Sequence, residues 1–197
     1  MAVDKTPVLK RCRSLDLDPV FLGYDKKSNR KSLRAGKKMS EYALQLRAKQ
    51  QAKFIYGVLE KPFRNYYEKA ENMKGQTGEN LMVLLERRLD SVVFRMGLAR
   101  TRREARQVVG HKHITVNGKV VNIPSYLIKA GDVVELKDKA KELQRYKDIL
   151  EVTSGRLVPE WIDVNLDAYK ATIKQLPTRE MIDVPVDEMA IVELYSK

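Results

Sequence analysis

The dipeptide Asn117-Gly118 lies between two runs of mainly β-branched residues, ITV and KVV. A two-residue Asn-Gly linker in that setting is the strongest short-range signal for a β-hairpin, because both residues accept the positive φ angles of a type I′ turn. A second turn at residues 130–132, followed by the run VVEL, predicts a third strand. The chain is therefore expected to contain a small antiparallel sheet whose first strands are close in sequence.

The residues before the hairpin predict a short helix with one basic side. The tetrapeptide TRRE at residues 101–104 is a capping box that begins the helix, and Gly110 is expected to end it. Arg102, Arg103 and Arg106 share one arc of the helix, and apolar residues share another arc of similar width. We expect these arginines to stand together in water, because the only acid nearby in sequence is the one in the capping box. Arginine forks fit phosphate oxygens, which favours a nucleic-acid partner; the alternative is a solvated face with ion pairs.

Three longer helices are predicted upstream. One is capped by Ser40 and runs to Gly57, and the next begins at Pro62 and reaches about Met73. The third covers residues 79–96 and is apolar on more than one side. A helix of that kind is usually packed between two layers, so we expect it where two domains join. The C-terminal part is less regular: residues 161–177 suggest one or two strands, and residues 187–195 suggest a helix or an extended segment.

The composition points to a polyanionic partner. The chain has 197 residues, a formal net charge of +12 and a pI near 9.7, and such a balance most often serves nucleic-acid binding. Seven basic residues and no acid lie between residues 26 and 38, which predicts an extended basic arm that orders on RNA; a merely solvated tail is the alternative. No apolar run approaches the roughly 18 residues of a membrane span, and no leader segment is expected.

Catalytic and metal chemistry are not indicated by the sequence. No glycine-rich phosphate loop and no ordered nucleophile–base set is present. His111, His113 and Cys12 are the only histidines and cysteine, and a structural zinc site normally takes four such ligands. We therefore expect no metal, no cofactor and no enzymatic activity, and a single cysteine suits a reducing cytoplasm.

The segment from NLMVLLERRLDSVVFRMGLARTRREARQVVG to HKHITVNGKVVNIPSYLIKAGDVVEL resembles the S4 RNA-binding module. The flanking segments SEYALQLRAKQQAKFIYGVLEKPFRNYYEKA and IVELYSK are similar to the bacterial small-subunit ribosomal protein S4 family. The resemblance departs from the family in the arm, where many members have a cysteine cluster that binds zinc or an iron–sulfur cluster. This chain has only Cys12 there, so the metal is not carried over.

The resemblance implies an α+β fold, with a mainly helical first domain and an αL-type module of two helices and a small antiparallel sheet. The expected organisation is a basic extended arm (1–39), a helical domain (40–79 with 170–197) and the module (80–169, core 87–150). The family implies a structural constituent of the small ribosomal subunit in the cytoplasm. It would bind small-subunit ribosomal RNA at a multi-helix junction in the 5′ domain and nucleate assembly of the subunit body. It would also lie where messenger RNA enters, with an influence on accuracy, and repress its own messenger RNA.

The expected partners are small-subunit ribosomal RNA, neighbouring small-subunit ribosomal proteins at the site where messenger RNA enters, and messenger RNA transiently, but no membrane. Basic and aromatic side chains are the candidate RNA contacts. Aromatics of the second helix are more often core than stacking platforms. The candidates are Lys10, Arg11, Arg13, Lys26, Lys27, Arg30, Lys31, Arg34, Lys37, Lys38, Tyr42, Arg47, Lys49, Lys53, Tyr56, Arg64, Tyr67, Arg87, Arg100, Arg102, Arg103, Arg106, His111, Lys112 and His113.

Two other classes of protein compete with this interpretation. RNA-modifying enzymes and tRNA synthetases also carry the module, but they need a further large domain for which this chain has no room. A DNA-binding regulator would need a dimerisation seam and a groove-reading helix, and neither is evident in the sequence.

Overall fold

The computed structural model describes residues 6–26, 29–30 and 39–196. In these ranges the chain forms nine α-helices and five strands, which confirms the α+β class. The helices are α1 (Val8–Leu15), α2 (Glu41–Tyr56), α3 (Glu60–Glu71), α4 (Thr77–Glu86), α5 (Leu89–Arg95), α6 (Arg102–Gly110), α7 (Asp138–Lys141), α8 (Gln144–Thr153) and α9 (Glu188–Tyr195). The strands are β1 (Ile114–Val116), β2 (Lys119–Val120), β3 (Val133–Leu136), β4 (Ile162–Asn165) and β5 (Lys170–Ile173).

The chain divides into two compact units. The first unit combines Met1–Met82 with Val184–Lys197, and the second is Val83–Asp183. Residues 170–183, which the sequence placed with the helical domain, lie in the second unit because β5 pairs with both β3 and β4. The sequence of such a strand does not show which unit it belongs to, because the strands it pairs with include one that is distant in sequence.

The first unit is helical and is completed by the C-terminal helix α9. Asp187 caps α9 by accepting a hydrogen bond from the backbone N–H of Ala190 at 3.1 Å. Ile191 is fully buried, and the buried Gln45 side chain of α2 donates to the carboxylate of Glu193 at 2.9 Å. The choice between helix and extended segment for the last residues is therefore settled in favour of helix.

Aromatic and charged contacts fix the end of α9. The Tyr195 ring stacks on Tyr67 with centroids 4.5 Å apart, and its hydroxyl donates to Glu60 at 3.2 Å. Glu60 also accepts from Lys49 at 2.8 Å and from Lys53 at 2.5 Å. Burial alone would raise the pKa of Glu60, but the hydrogen bonds and charges of these lysines outweigh it and lower the pKa to about 2. Lys49 and Lys53 thus both pair with a carboxylate of the same unit.

A helix occupies part of the predicted extended arm. Residues 8–15 form α1 and Pro19–Leu22 form a 3-10 helix. Cys12 and Leu15 of α1 are buried, and Arg47 of α2 donates to the backbone carbonyl of Leu15 at 3.0 Å. The expectation of an extended chain was therefore wrong for residues 8–15, because a few apolar residues at helical spacing are enough when α2 supplies a surface to pack on. Most of residues 26–38, on which the arm prediction rests, lie outside the described residues.

The second unit contains the sheet, in the order β2-β1-β3-β5-β4 with antiparallel neighbours throughout. The predicted hairpin is confirmed: Val116 pairs with Lys119, and Asn117 and Gly118 have φ angles of 50° and 75°. One face of the sheet packs on α5, α6 and α8. The buried residues of this core are Leu89, Val92, Val93, Phe94, Met96, Leu98, Ala99, Ala105, Val108, Val109, Ile114, Val116, Ile128, Val134, Leu136, Ala140, Tyr146, Ile149, Trp161, Ile162, Ala171 and Ile173.

The long helix predicted over residues 79–96 is interrupted. α4 ends at Glu86 and α5 begins at Leu89, because Arg88 has extended backbone and forms a bridge with Leu127. The N–H of Ile128 donates to the carbonyl of Arg87 at 3.0 Å, so residues 124–128 supply partners at the break. The division between the two units falls inside α4, after Met82.

Candidate nucleic-acid interface

The start of α6 is capped by the two residues that the sequence predicts, with Glu104 bonding to the residue before the N-cap and not to the N-cap itself. The Thr101 hydroxyl accepts a hydrogen bond from the backbone N–H of Glu104 at 3.2 Å. The Glu104 carboxylate reaches back to the backbone N–H of Arg100 at 2.8 Å. Both bonds satisfy N–H groups that have no partner inside the helix, so α6 begins at a fixed point.

The end of α6 places three basic side chains on one tight turn. The N–H of His113 donates to the carbonyl of Val108 at 3.3 Å, and the N–H of Lys112 donates to the carbonyl of Val109 at 3.0 Å. This pair of bonds is a Schellman motif, in which the residue equivalent to Lys112 is usually glycine. Lys112 has a φ of 63°, whereas Gly110 lies inside the helix. α6 therefore ends at Gly110 as predicted, but the left-handed residue of its C-terminal turn is Lys112.

The left-handed backbone of Lys112 is strained for a residue with a side chain. Lys112→Gly should stabilise the second unit by about 1 kcal/mol, because glycine removes the left-handed strain. Lys112→Ala keeps the strain and removes the charge, so it should bring no gain. The midpoints of urea unfolding for the two variants measure the difference. Equal midpoints would contradict the strain at Lys112.

The three arginines of α6 do not stand together in water. Arg102 is only 5% exposed, lies 3.4 Å from the carboxylate of Glu86, and has its guanidinium 4.4 Å from the centroid of the Phe94 ring. Arg106 pairs with Asp90 at 3.0 Å. The sequence expectation was wrong because both carboxylates come from α4 and α5, 16 residues before their partners. Arg102 and Arg106 therefore form ion pairs, as the alternative interpretation predicted, but these pairs are buried and not solvated.

Glu86 and Asp90 are the residues of this region that the sequence analysis missed. Glu86 also accepts from Arg95 at 2.8 Å, and Asp90 accepts from Arg88 at 2.6 Å. Both acids are about 1% exposed. Their signal in the sequence is an acid inside a strongly apolar helix, a position that requires a partner when it is buried.

Arg95 extends this buried network to Asp183. Its guanidinium lies 2.6 Å from the Asp183 carboxylate. Burial alone would raise the pKa of Asp183, but the hydrogen bond and charge of Arg95 outweigh it and lower the pKa. The network ties the last residues of the second unit to α4 and α5.

The other predicted contacts of the second unit divide by exposure. Arg100, His111 and Lys112 are exposed, and Arg103 and His113 are partly exposed. Arg87 is partly buried and donates to the carbonyl of Ile128 at 3.0 Å. The exposed and partly exposed set lies along α6 and its C-terminal turn.

The basic residues of the first unit also divide by exposure. Lys10, Lys26, Arg30 and Arg64 are exposed, and Arg13 is partly buried. Several of the basic residues have partners in the same unit: Arg64 lies 3.3 Å from Glu68, Arg11 donates to Gln50 at 2.9 Å, Arg47 pairs with Asp16 at 2.9 Å, and Lys49 and Lys53 share Glu60. The remaining predicted contacts, Lys27, Lys31, Arg34, Lys37 and Lys38, lie outside the described residues.

The aromatic candidates separate in the same way. Tyr56 is fully buried and Tyr67 is 6% exposed, so both rings belong to the core of the first unit. Tyr42 is 59% exposed and presents its ring to solvent. Of the three predicted aromatic contacts, Tyr42 is the one whose position suits stacking on a base.

The two histidines lie close together at the α6 turn. Their ring centroids are 6.2 Å apart, and the His113 ring is 5.9 Å from that of Tyr146 in α8. Burial, and then the positive charges of His111, Arg145 and Lys137, lower the pKa of His113. Among the described residues, no group of three or more His, Cys, Asp or Glu side chains is arranged to hold a metal.

Helices of the described residues are also too short or too polar to cross a membrane.

Two family comparisons cover most of the chain. The ribosomal protein S4/S9 N-terminal domain matches residues 4–86, and the S4 domain matches residues 87–134. The small ribosomal subunit proteins uS4 of Lachnospira eligens and of Agathobacter rectalis are each 70% identical over 197 residues and cover all of both chains. That of Lachnoclostridium phytofermentans is 66% identical over 198 residues, again over the full length of both.

The second unit, with its basic α6 turn, thus defines an RNA-binding protein of the S4 class. The chain belongs to the uS4 family of small ribosomal subunit proteins. It is accordingly a structural ribosomal protein and not one of the RNA-modifying enzymes that share the module.

Proposed function

We propose that this protein binds small-subunit ribosomal RNA directly, at a multi-helix junction of the 5′ domain, and that this binding nucleates assembly of the subunit body. The observation that carries the proposal is full-length identity of 70% to small ribosomal subunit proteins. The site of action would be the small subunit in the cytoplasm.

The exposed side chains of the second unit support this proposal. Arg100, Lys112 and the partly exposed Arg103 lie along α6 and its end. Arg100 uses only its backbone in the hydrogen bonds that the structure describes, accepting from Arg156 and donating to Glu104. Its guanidinium therefore does not hold the fold at that point. Arginine and lysine in such positions bind phosphates and fix the register of an RNA without reading bases.

Binding of the intact protein to RNA of the 5′-domain junction tests the proposal. We expect tighter binding to the junction RNA than to duplex DNA with the same number of phosphates. The triple variant R100A/R103A/K112A should reduce the slope of log K against log salt by about 0.7–0.9 for each phosphate that is no longer neutralised. The triple variant R102A/R103A/R106A is unsuitable, because it would break two buried ion pairs. Equal affinity for the DNA duplex would instead support the DNA-binding alternative and contradict the proposal.

We also propose that the basic residues before α2 lie near the path by which messenger RNA enters, beside neighbouring ribosomal proteins, and influence accuracy there. Exposed cations attract a passing strand without reading its bases. The proposal concerns Arg34, Lys37 and Lys38, together with Arg47 inside α2. Arg47 holds α1 through Asp16 and the carbonyl of Leu15. Arg34, Lys37 and Lys38 lie outside the described residues and are the better targets.

Ribosomes assembled with Arg34, Lys37 and Lys38 changed to Ala should assemble normally and unwind a messenger hairpin more slowly. Unchanged unwinding would refute the role at the entering messenger, and an assembly defect alone would show that these residues only brace ribosomal RNA.

Repression of the protein's own messenger RNA would use the RNA-binding surface of the second unit. The variant R100A/R103A/K112A should therefore relieve repression in a translation assay. Full repression by this variant would count against that role.

A further inference from the structure

We propose that Lys137 and Arg145 extend the RNA interface of the second unit, and that they form a phosphate-binding cluster with His111, Lys112 and His113. The inference rests on the proposed function and names a part of its binding surface. Lys137 and Arg145 lie beyond residues 87–134, which match the S4 domain. Neither residue stands out in the sequence, since each lies in a mixed-charge segment.

The fold brings three separate segments together at this point. The N–H of Lys137, just after β3, donates to the carbonyl of His113 at 2.8 Å, so the two residues are neighbours. Tyr146 of α8 packs on the His113 ring, which places the adjacent Arg145 beside the α6 turn. The left-handed conformation of Lys112 directs the chain through this turn.

The acids near the cluster are already engaged. Glu135 and Asp138, on either side of Lys137, both pair with Lys141, at 3.4 and 2.9 Å. Glu104 pairs with Arg145 at 2.9 Å, and it also receives the backbone N–H of Arg100. One carboxylate on the α6 side therefore faces several cations, and the surface has an excess of positive charge that a phosphate would neutralise.

His113 contributes a hydrogen-bond donor instead of a permanent charge. Its Nδ1 is buried and has no hydrogen-bond partner among the described residues. A proton on Nδ1 would be left without an acceptor, which costs about 1–3 kcal/mol, so the neutral ring carries its proton on Nε2. The lowered pKa of His113, caused first by burial and then by His111, Arg145 and Lys137, agrees with a neutral ring. Lys112, Lys137 and Arg145 supply the charge and His113 supplies a directed N–H.

The occupant is the RNA backbone, for reasons of charge and geometry. The cluster offers lysine ammonium groups and an arginine fork at separate points along a surface, which suits successive phosphates better than one small anion. The cluster lies at the C-terminal end of α6, and Arg100 and the partly exposed Arg103 lie at its N-terminal end. An RNA backbone that runs along α6 would therefore meet both groups.

The double variant K137A/R145A tests the cluster, with K139A/K147A as the matched control. Lys139 and Lys147 are exposed on α7 and α8, so the control removes the same charge from the same region of the chain. With 5′-domain RNA, K137A/R145A should lower the slope of log K against log salt by about 1.4–1.8, while the control leaves it nearly unchanged. Equal reductions in both variants would show a general charge effect and overturn the inference, as would no reduction in either.

Glu104→Gln should change RNA affinity in the opposite direction from K137A/R145A. The glutamine oxygen still accepts from the N–H of Arg100, but the charge that neutralises Arg145 is gone. RNA binding should therefore tighten and the salt slope should steepen by up to about 0.7–0.9. Glu151→Gln, an exposed change on α8, is the control and should do neither. Identical behaviour of the two Gln variants overturns the inference. If the wild-type protein binds the RNA and the variants bind it equally well, the cluster alone is refuted. If the wild-type protein does not bind the RNA, the proposed function is refuted as well.

Discussion

Deletion of residues 188–197 should leave the first unit unable to keep its native fold. The deletion removes Ile191 from the core, the partner of the buried Gln45 side chain, and the Tyr195 ring that stacks on Tyr67. Removal of the Ile191 side chain alone should cost about 2–5 kcal/mol, which is a large part of the stability of a small domain. Hydrogen exchange of the truncated chain should show reduced protection in α2 and α3 and retained protection in the sheet and α6.

Two single substitutions on α9 separate packing from chain length. Ile191→Ala should reproduce part of the reduced protection in α2 and α3. Met189→Ala should have almost no effect, because Met189 is 56% exposed on the same helix. Full protection of α2 in the truncated chain would contradict a first unit that depends on its C-terminal helix.

Glu86→Gln should destabilise the second unit by about 3–5 kcal/mol, because it removes the charge of a buried carboxylate that two buried arginines share. Glu86 accepts from Arg95 at 2.8 Å and lies 3.4 Å from Arg102. In the variant, Arg95 keeps its ion pair with Asp183, whereas the buried Arg102 is deprived of its ion pair with Glu86. Urea unfolding monitored by the fluorescence of Trp161, which is buried in this unit, measures the effect.

Glu151→Gln is the control for Glu86→Gln. Glu151 is exposed near the C-terminal end of α8 in the same second unit, where removal of a negative charge should not destabilise the unit. Equal destabilisation by the two variants would mean that the buried pairs contribute no more than a surface charge. That result would contradict an internal role for Arg102.

The features that the sequence predicted well are local ones. The capping box at Thr101 and Glu104 and the turn at Asn117-Gly118 depend on residues a few positions apart, and both formed as expected. The helical ends at Gly57 and Gly97 were likewise marked by glycines with positive φ. Short-range backbone geometry decides such features, so the sequence carries them directly.

Features that depend on distant partners were not predictable. The position of Arg106 depends on Asp90, which lies 16 residues earlier on another helix. The break in the long helix depends on Leu127, which bridges to Arg88. A helical wheel shows which side chains share a face, but it does not show which face another element covers. The sequence correctly placed the three arginines of α6 on one arc of the helix, but the prediction that this arc is exposed was wrong.

This correction changes which residues are the best candidates for RNA contact. Arg102 and Arg106 hold α6 against α4 and α5, whereas Arg100, Arg103 and Lys112 lie where an RNA backbone has access. A mutation of the first kind would destabilise the unit, so the loss of RNA binding that it causes would not report a phosphate contact.

Chemical footprinting of the intact protein on naked small-subunit ribosomal RNA tests the proposed function most directly. We predict protection concentrated at one multi-helix junction of the 5′ domain, and weaker protection there with R100A/R103A/K112A at equal protein concentration. Protection scattered along the RNA without focus on one junction, or focused elsewhere and unchanged in the triple variant, would contradict binding at that junction through the α6 surface.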